Sequence, residues 1–298
     1  MTTVSVTARV PAKINVYLGS GSRNADGFHD LATVFMALGI YDEVTVEPAK
    51  ELSITAAGAW ANHIPTDDTN LAWKAAVLVG ERYNKAPLVH ITIDKAIPVA
   101  AGLAGGSADA AATLIALNEL WGGQLQRDEI DELAAQLGSD VTFMVHGGCA
   151  LGAGRGNELT PAMTRGTFYW VLATFTEGLS TPAVYRRFDE LMPDASPPMV
   201  PQDVMQALAR GDAAALGSVL YNDLQRAAVS LRPQLGRVLD YGLEYGALGA
   251  IVSGSGPTCA FLTSDESHAI DLVVALMGSG LVEGALHAHG PVHGTRVM

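Results

Sequence analysis

The sequence feature that most constrains the fold of this chain is a run of glycines and alanines directly before a helical pattern. The stretch PVAAGLAGGSADAAATLIALNELW covers residues 98–121, and its glycines are Gly102, Gly105 and Gly106. Each glycine loses conformational entropy on folding, so glycines at this place need a purpose. The start of a helix carries unpaired N–H groups and the positive end of the helix dipole, which together bind anions. The stretch therefore predicts either a tight turn or a loop that wraps around phosphate groups.

Ser107 is the residue that we expect to cap this helix, because serine accepts backbone hydrogen bonds at such positions. We also expect a side chain at Gly105 to fill the space that phosphates would occupy. No lysine follows the glycines, so the stretch is not a P-loop. The glycine spacing does not fit the dinucleotide fingerprint either, which argues against a nicotinamide-dependent oxidoreductase.

Length and charge limit the domain organisation and the partners. A chain of 298 residues, 49% of them hydrophobic, is long enough for two closely packed lobes. The formal net charge of -13 argues against nucleic acid or an anionic membrane as a partner, because both need a basic surface. An anionic ligand must therefore be met by local positive groups.

The cysteines and the apolar segments indicate a cytoplasmic protein. Cys149 and Cys259 are far apart and form no paired motif, so we expect neither a disulfide framework nor a zinc site. The N-terminal residues alternate from Val4 onward, which is typical of a strand and not of a signal peptide. No run of 18 apolar residues is present, so we expect no transmembrane helix. The sequence predicts no particular oligomeric state.

The first half mixes strand and helix patterns. The strand patterns are VSVTARV, KINVYLG, DEVTVEP, ELSITA and LVHITIDKAI, and the helical patterns are LAWKAAVLVGERY, residues 107–121 and residues 127–137. Because the strands come first and cluster, we expect an α+β fold with a mixed or antiparallel sheet.

A second lobe is expected to begin near Thr167, where FYWVLATF has the pattern of a buried strand. Residues 193–201 contain four prolines and predict a loop. Helical patterns follow at VMQALARGD, AALGSVLYNDLQRAAV and LGRVLDYGLEYGAL. The strand patterns IVS and TCAFLTS then flank a second glycine cluster, SGSGP.

Three motifs in this order resemble the GHMP kinases. They are PAKINVYL at residues 11–18, the glycine stretch, and SGSGPTCAF at residues 253–261. The resemblance implies a two-lobed α+β fold of mixed and antiparallel sheets and helices, with the active site in the cleft between an N-terminal domain, residues 1–165, and a C-terminal domain, residues 166–298. It also implies ATP as co-substrate, with the glycine stretch around its phosphates and SGSGP as support for that loop.

Two further stretches, RNADGFHDLATVF and LGSDVTFMVHGGCALGAGRGNEL, narrow the resemblance to one branch. Within that branch, IVSGSGPTCAFL and GRG are most similar to the actinobacterial versions. That branch phosphorylates the 2-hydroxyl of a methylerythritol that carries a cytidine diphosphate group, in the non-mevalonate isoprenoid pathway. Phe28 stands where the branch commonly has tyrosine, which leaves one polar substrate contact in question. Thr142 replaces the usual proline after LGSDV, which bears on how the segment with Asp140 is held.

Asp140 and Lys13 are the catalytic candidates. Asp140 follows a Gly-Ser break after a helical pattern, and from the residues alone a local hydrogen bond to backbone is the commoner role for such an aspartate. The resemblance implies that Asp140 is the base for the substrate hydroxyl, and that Lys13 stabilises the developing alkoxide. The other interpretation of Lys13 is a lysine that snorkels at a strand end. Period two places Asn15 on the same strand face as Lys13.

The resemblance also implies the binding residues. Those expected around ATP are Pro98, Val99, Ala100, Ala101, Gly102, Leu103, Ala104, Gly105, Gly106, Ser107 and Ala108. Those expected around the substrate are Asn15, Phe28, His29, Lys95, Thr181 and Tyr185. For Phe28 and Tyr185, ordinary core packing is about as good an interpretation. Magnesium is expected with ATP, because the charge between the β- and γ-phosphates needs neutralisation. Its ligands stay open.

Two other functions remain as alternatives. One is a sister GHMP kinase for homoserine or mevalonate, against which ADGFH argues because those substrates carry no base to stack. The other is a catalytically silent ligand-binding regulator, against which the retained Lys13 and Asp140 argue. His287, His289 and His293 have no carboxylate partner in the sequence, so we expect no transition-metal site there.

Overall fold

Two sheets and ten α-helices make up residues 4–298, the part of the chain that the computed structural model describes. The first three residues of the N-terminal stretch lie outside it. The strands are β1 (Val6–Arg23), β2 (His29–Pro48), β3 (Ser53–Ala57), β4 (Val89–Asp94), β5 (Cys149–Ala153), β6 (Glu158–Pro161), β7 (Phe168–Thr174), β8 (Tyr221–Asn222), β9 (Gly249–Val252), β10 (Cys259–Thr263), β11 (Gly284–Gly290) and β12 (Arg296–Val297). The helices are α1 (Leu71–Arg82), α2 (Gly105–Leu120), α3 (Arg127–Leu137), α4 (Ser139–His146), α5 (Thr181–Leu191), α6 (Gln202–Arg210), α7 (Ala213–Ser218), α8 (Gln225–Leu231), α9 (Gln234–Glu244) and α10 (Glu266–Ser279).

The first sheet is built on a long antiparallel pair, β1 with β2. Its main path runs β12-β1-β2-β4-β3, and β5, β6 and β8 join it from the side. Most pairs are antiparallel, but β3 runs parallel to β4 and β8 runs parallel to β1. The expected α+β fold with a mixed sheet is therefore confirmed.

Helix α2 lies at the centre of the first half and is buried along most of its length. Half of its buried residues are alanines, and Leu114 and Leu117 are also buried. Alanine loses no side-chain entropy in a helix and lets neighbouring elements approach closely. The helix therefore packs against both the first sheet and α1.

The second sheet has the order β11-β7-β10-β9 and is antiparallel throughout. Alternate residues of β7 point to opposite faces, so Trp170 and Leu172 join the core of the first half. Val171 and Ala173 join a second core together with the helices that cover the other face. The two halves thus share one apolar layer, and β8 and β12 return to pair with β1. The domain boundary at residues 165 and 166 stays a prediction.

Two sequence patterns differ from the observed elements. VSVTARV and KINVYLG form one strand, β1, whose pairing with β2 shifts register between Pro11 and Ala12. AALGSVLYNDLQRAAV is not one helix, because β8 interrupts it. Asn222 in that strand donates from its side-chain amide to the carbonyl oxygens of Val252 and Gly254, both at 2.7 Å. These long-range hydrogen bonds override the local helical pattern.

The other patterns formed the expected elements, and the proline-rich segment of residues 193–201 is a loop. Within residues 4–298, no helix combines the length and the apolar character that crossing a membrane requires.

Candidate active site

A cavity of about 440 Å³ lies where the glycine stretch, the start of α4 and the first turn of α5 meet. It brings together five of the residues expected at the site: Lys13, Asn15, Asp140, Thr181 and Tyr185. Much of the glycine stretch also lines it, namely Ala100, Ala101, Gly102, Ala104, Gly105, Gly106 and Ser107. Pro98, Val99, Leu103, Ala108, Phe28, His29 and Lys95 are not among its lining residues. The expected catalytic residues therefore share one cavity with the start of α2.

The start of α2 has the geometry of an anion site. The helix begins at Gly105, and Ala104 before it has left-handed backbone, with φ 57°. Ser107 is therefore inside the first turn and is not the cap that the sequence predicted, because the chain enters the helix two residues earlier. A helix start leaves its first N–H groups without intrahelical partners, and here those groups belong to residues that line the cavity.

The second glycine cluster holds the glycine stretch from the other half. The hydroxyl of Ser253 donates to the carbonyl oxygen of Gly102 at 3.0 Å. The N–H of Thr258 donates to the carbonyl oxygen of Ala101 at 3.3 Å. A side chain at Gly102 would meet the Ser253 carbonyl oxygen at 2.1 Å, so only glycine permits this approach. The expectation that SGSGP supports the loop agrees with these contacts.

The sequence suggested that a side chain at Gly105 would fill the phosphate space, but it would instead meet Lys95. A Cβ placed there would lie 2.9 Å from the Nζ of Lys95, on the side away from the cavity. A Cβ at Gly106 would have only Leu71 near it, at 3.9 Å, and Leu71 lines the cavity. Gly106, not Gly105, therefore leaves open the space beside the helix start.

Lys95 was expected to contact a ligand, but it lies in a buried cluster of charged side chains. Its side chain is 0% exposed and forms ion pairs with Asp42 and, at 3.0 Å, with Asp109 on α2. Its Nζ also donates to the carbonyl oxygen of Gly105 at 3.0 Å. Lys95 therefore supports the glycine stretch from behind and does not reach the cavity, because burial requires its charge to be paired inside the protein.

Burial raises the pKa of Asp109 well above its ordinary value, and the nearby Asp42 adds to that effect. Asp42 in turn accepts hydrogen bonds from the N–H groups of Ala96 and Ile97, at 2.7 and 2.8 Å.

Lys13 and Asp140 face each other across the cavity. The distance from Nζ to Oδ2 is 3.5 Å, and the Lys13 side chain is buried while the Asp140 side chain is partly exposed. Lys13 also donates to Oδ1 of Asn15 at 2.8 Å, which confirms that these two residues share one face of β1. Asn15 donates to Thr33 at 2.8 Å. This chain of hydrogen bonds fixes the ammonium group beside the carboxylate.

The backbone turns sharply just before Asp140. Gly138, with φ 155° and ψ 157°, separates α3 from α4 and places Asp140 in the first turn of α4. Negative charge is favourable there because of the helix dipole. Thr142 lies inside α4, buried, and its hydroxyl has no hydrogen-bond partner among the described residues. The residue that departs from the branch pattern is thus part of the helix that carries Asp140.

A second cavity, of about 460 Å³, continues from the first. Phe28, His29 and Tyr185 line it, so the expected aromatic residues lie together. The rings of His29 and Tyr185 have centroids 4.7 Å apart, and Nε2 of His29 lies 2.6 Å from Asp189. Burial raises the pKa of Tyr185, and the charge of Asp140 adds to that effect, so its phenol stays neutral at physiological pH.

Sequence reasoning missed three residues of this region. Arg155 lines both cavities, Ser255 lies 2.8 Å from the hydroxyl of Thr181, and Asp189 pairs with His29. The first two lie within stretches that carried the resemblance, GAGRGN and SGSGP, so their motifs were signals for them. Asp189 has no such signal, because it lies on α5 among ordinary surface charges.

We expect different effects from alanine at two glycines of the stretch. Gly102→Ala should lower the free energy of unfolding by about 1–3 kcal/mol, because φ there is 78° and the new Cβ meets backbone. Gly106→Ala should leave stability unchanged or raise it, since alanine favours a helix by about 0.5–1 kcal/mol. Gly106→Ala should nevertheless raise the KM for ATP about tenfold, or about 1.4 kcal/mol. Urea unfolding and initial rates measure both, and an unchanged KM for Gly106→Ala would contradict the anion site.

Comparisons with known proteins agree with this geometry. Residues 70–148 match the family described as GHMP kinases N terminal domain, and residues 204–280 match GHMP kinases C terminal. A relative from Nocardia farcinica, named 4-diphosphocytidyl-2-C-methyl-D-erythritol kinase, is 53% identical over 295 residues, which cover 98% of this chain and 96% of the relative. The crystal structure of a 4-(cytidine 5'-diphospho)-2C-methyl-D-erythritol kinase has a TM-score of 0.77 at 32% identity, and the match covers 95% of this chain and 98% of that one. A homoserine kinase from Cytophaga hutchinsonii, with a TM-score of 0.76 at 19% identity, covers 100% of this chain and 98% of its own, and shows the fold alone.

The chain has the GHMP kinase fold and is a small-molecule kinase that uses ATP as co-substrate. Within that class, it belongs to the family of the 4-diphosphocytidyl-2-C-methyl-D-erythritol kinases. The fold and the kinase activity that the three motifs implied are thus confirmed.

Proposed function

We propose that this protein transfers the γ-phosphoryl group of ATP to the 2-hydroxyl of 4-diphosphocytidyl-2-C-methyl-D-erythritol, in the cytoplasm and within the non-mevalonate isoprenoid pathway. The observation that carries the proposal is the continuity of the two cavities. The first cavity contains both the start of α2 and Asp140. The second cavity is the aromatic pocket, and it shares lining residues with the first. A long substrate with a base at one end and a hydroxyl at the other fits this arrangement.

Asp140 is the proposed base. Its carboxylate accepts the proton of the substrate hydroxyl, while the hydroxyl oxygen forms a bond to the γ-phosphorus and the bond to the ADP oxygen breaks. Lys13, 3.5 Å from Asp140, places a positive charge where negative charge develops on the attacking oxygen. Because Asn15 holds Lys13, the charge is already oriented before the reaction begins.

The start of α2 is the proposed site of the ATP phosphates, in agreement with the open space beside Gly106 and the N–H groups of the first turn. A magnesium ion bound with ATP would neutralise charge on the β- and γ-phosphates. Asp140 is the only carboxylate among the described residues that line the first cavity, and Ser107 offers a hydroxyl there. Ser107 would hold the ion together with phosphate oxygens and waters, which suits the chemistry of magnesium, and Asp140 stays free to act as the base.

The aromatic pocket is the proposed site of the cytosine base. His29 and Tyr185 offer ring faces, and Phe28, which is 53% exposed, lines the same cavity. Because Nε2 of His29 pairs with Asp189, Nδ1 is the ring nitrogen that remains for the polar edge of the base. Homoserine and mevalonate carry no base, so this pocket favours the cytidine-bearing substrate over theirs. The close Lys13–Asp140 pair likewise favours an enzyme over a silent regulator.

The pocket is tested by competition. We expect cytidine diphosphate to inhibit ADP release competitively against the methylerythritol substrate and not against ATP, because it shares the cytidine end alone. Initial rates at varied concentrations of each substrate give the two patterns. Inhibition that competes only with ATP, or no inhibition, would contradict the base pocket and favour a sister kinase.

A further inference from the structure

The two cavities meet at a junction formed by five residues. Leu31, Ser139, Arg155, Thr181 and Tyr185 line both of them. Arg155 is the only charged member of this set. Under the proposed function, the junction lies between the base pocket and the reacting hydroxyl, which is the part of the substrate that contains the diphosphate.

The net charge of the protein opposes the binding of a diphosphate at this junction. The chain has a formal net charge of -13, so the protein as a whole repels an anion and a local cation must bind it. Lys13 lines the first cavity alone and is already paired with Asp140. Arg23 and Arg186 line the second cavity alone. Among the cationic residues of the described chain, Arg155 is therefore the one at the boundary.

Arg155 is held in a turn whose backbone is fixed. It lies between β5 and β6, flanked by Gly154 and Gly156 with φ values of 62° and 86°. The Gly154 carbonyl oxygen accepts a hydrogen bond from the N–H of Leu31 at 2.7 Å, which ties the turn to β2. The guanidinium carbon lies 4.0 Å from the centroid of the Phe28 ring. This stacking orients the group and leaves the N–H edge of the guanidinium plane free to donate.

The present partner of Arg155 is easily exchanged. Its Nη2 lies 2.7 Å from Oδ2 of Asp26, and the two side chains are 55% and 50% exposed. An ion pair this exposed contributes little to stability, about 0–1 kcal/mol. The guanidinium group has five N–H donors, and among residues 4–298 only one of them forms a hydrogen bond, the one to Asp26. A diphosphate offers more charge and more acceptor oxygens than the single carboxylate does.

We propose that Arg155 binds the diphosphate bridge of the nucleotide-linked substrate and so determines specificity for it, exchanging Asp26 for the phosphate oxygens while stacked on Phe28. This inference rests on the proposed function and deepens it. It also gives Phe28 a role that needs no hydroxyl, since the ring face alone supports the guanidinium group.

The test measures KM and kcat for the methylerythritol substrate, and KM for ATP, in wild type, Arg155→Ala and Asp26→Asn. We expect Arg155→Ala to raise KM for the methylerythritol substrate at least tenfold, with kcat and the KM for ATP within twofold of wild type. Asp26→Asn should leave that KM unchanged or lower it, because it frees Arg155 for the ligand. Its Oδ1 still accepts the hydrogen bond from the N–H of Phe28.

Arg187→Ala is the matched charge control, because Arg187 lies on α5 beside Arg186 but lines neither cavity. It should leave all three constants unchanged, and thermal unfolding should confirm that each variant is folded. An unchanged KM in Arg155→Ala would overturn the inference. An equal rise of KM in Asp26→Asn would also overturn it. That result would mean that Arg155 acts through its ion pair with Asp26, by holding residues 24–28 in place. If wild type itself does not phosphorylate the substrate, the proposed function fails; if only the Arg155 effect is missing, the inference fails alone.

Discussion

Asp140→Asn is expected to lower kcat by about 10³-fold, within the range that a general base contributes. Asparagine keeps the shape of the side chain but cannot accept the proton of the substrate hydroxyl. The KM for ATP should stay within a few-fold of wild type, because the proposed phosphate site is the start of α2 and the lost interaction belongs to the transition state. Initial rates of ADP release and calorimetric titration with a non-hydrolysable ATP analogue measure the two quantities.

Asp128→Asn is the matched control for this experiment. Asp128 is an exposed carboxylate in the first turn of α3, the same helical position that Asp140 has in α4, and it lines neither cavity. Its substitution should leave kcat unchanged. Turnover close to wild type in Asp140→Asn would remove Asp140 from the role of base.

Lys95→Met is expected to lower the free energy of unfolding by about 3–5 kcal/mol, because it leaves the buried charge of Asp42 without its cation. The KM for ATP should rise as well, since the Gly105 carbonyl oxygen loses its donor and the start of α2 shifts. Asp109→Asn should change stability much less. Burial raises the pKa of Asp109, which favours a neutral group at this position, and the asparagine carbonyl oxygen still accepts from Lys95.

Urea unfolding measures these differences, with Lys74→Met as control for loss of an exposed lysine on α1. A loss for Lys95→Met as small as that for Lys74→Met would show that the buried cluster does not hold the loop. A large loss for Asp109→Asn would show that Asp109 is charged in the folded protein.

Local patterns were enough to predict much of the fold and part of the site. Period two placed Lys13 and Asn15 on one face, because successive residues of a strand alternate by geometry alone. The Gly-Ser break located the turn before Asp140, since Gly138 adopts a backbone that other residues avoid. The glycine stretch located the start of α2 to within two residues, because glycines adopt the backbone angles that a turn into a helix requires.

Long-range contacts decided what the sequence could not predict. Lys95 has the same sequence signal whether its charge faces a ligand or a buried carboxylate, and its partner Asp42 is 53 residues away. β8 forms within a helical pattern because its partner strand lies elsewhere in the chain. Arg155 and Phe28 meet across even more sequence, so their stacking has no local pattern. Such pairings follow from topology and not from periodicity.

The central claim is most directly tested by one assay of ADP release with three phosphoryl acceptors. These are 4-diphosphocytidyl-2-C-methyl-D-erythritol, homoserine and mevalonate, each supplied with ATP and magnesium. We expect ATP-dependent turnover with the first acceptor alone, because under the proposed function only that substrate offers both a base to the second cavity and a hydroxyl to the first. Turnover with homoserine or mevalonate, and none with the cytidine-bearing acceptor, would contradict it.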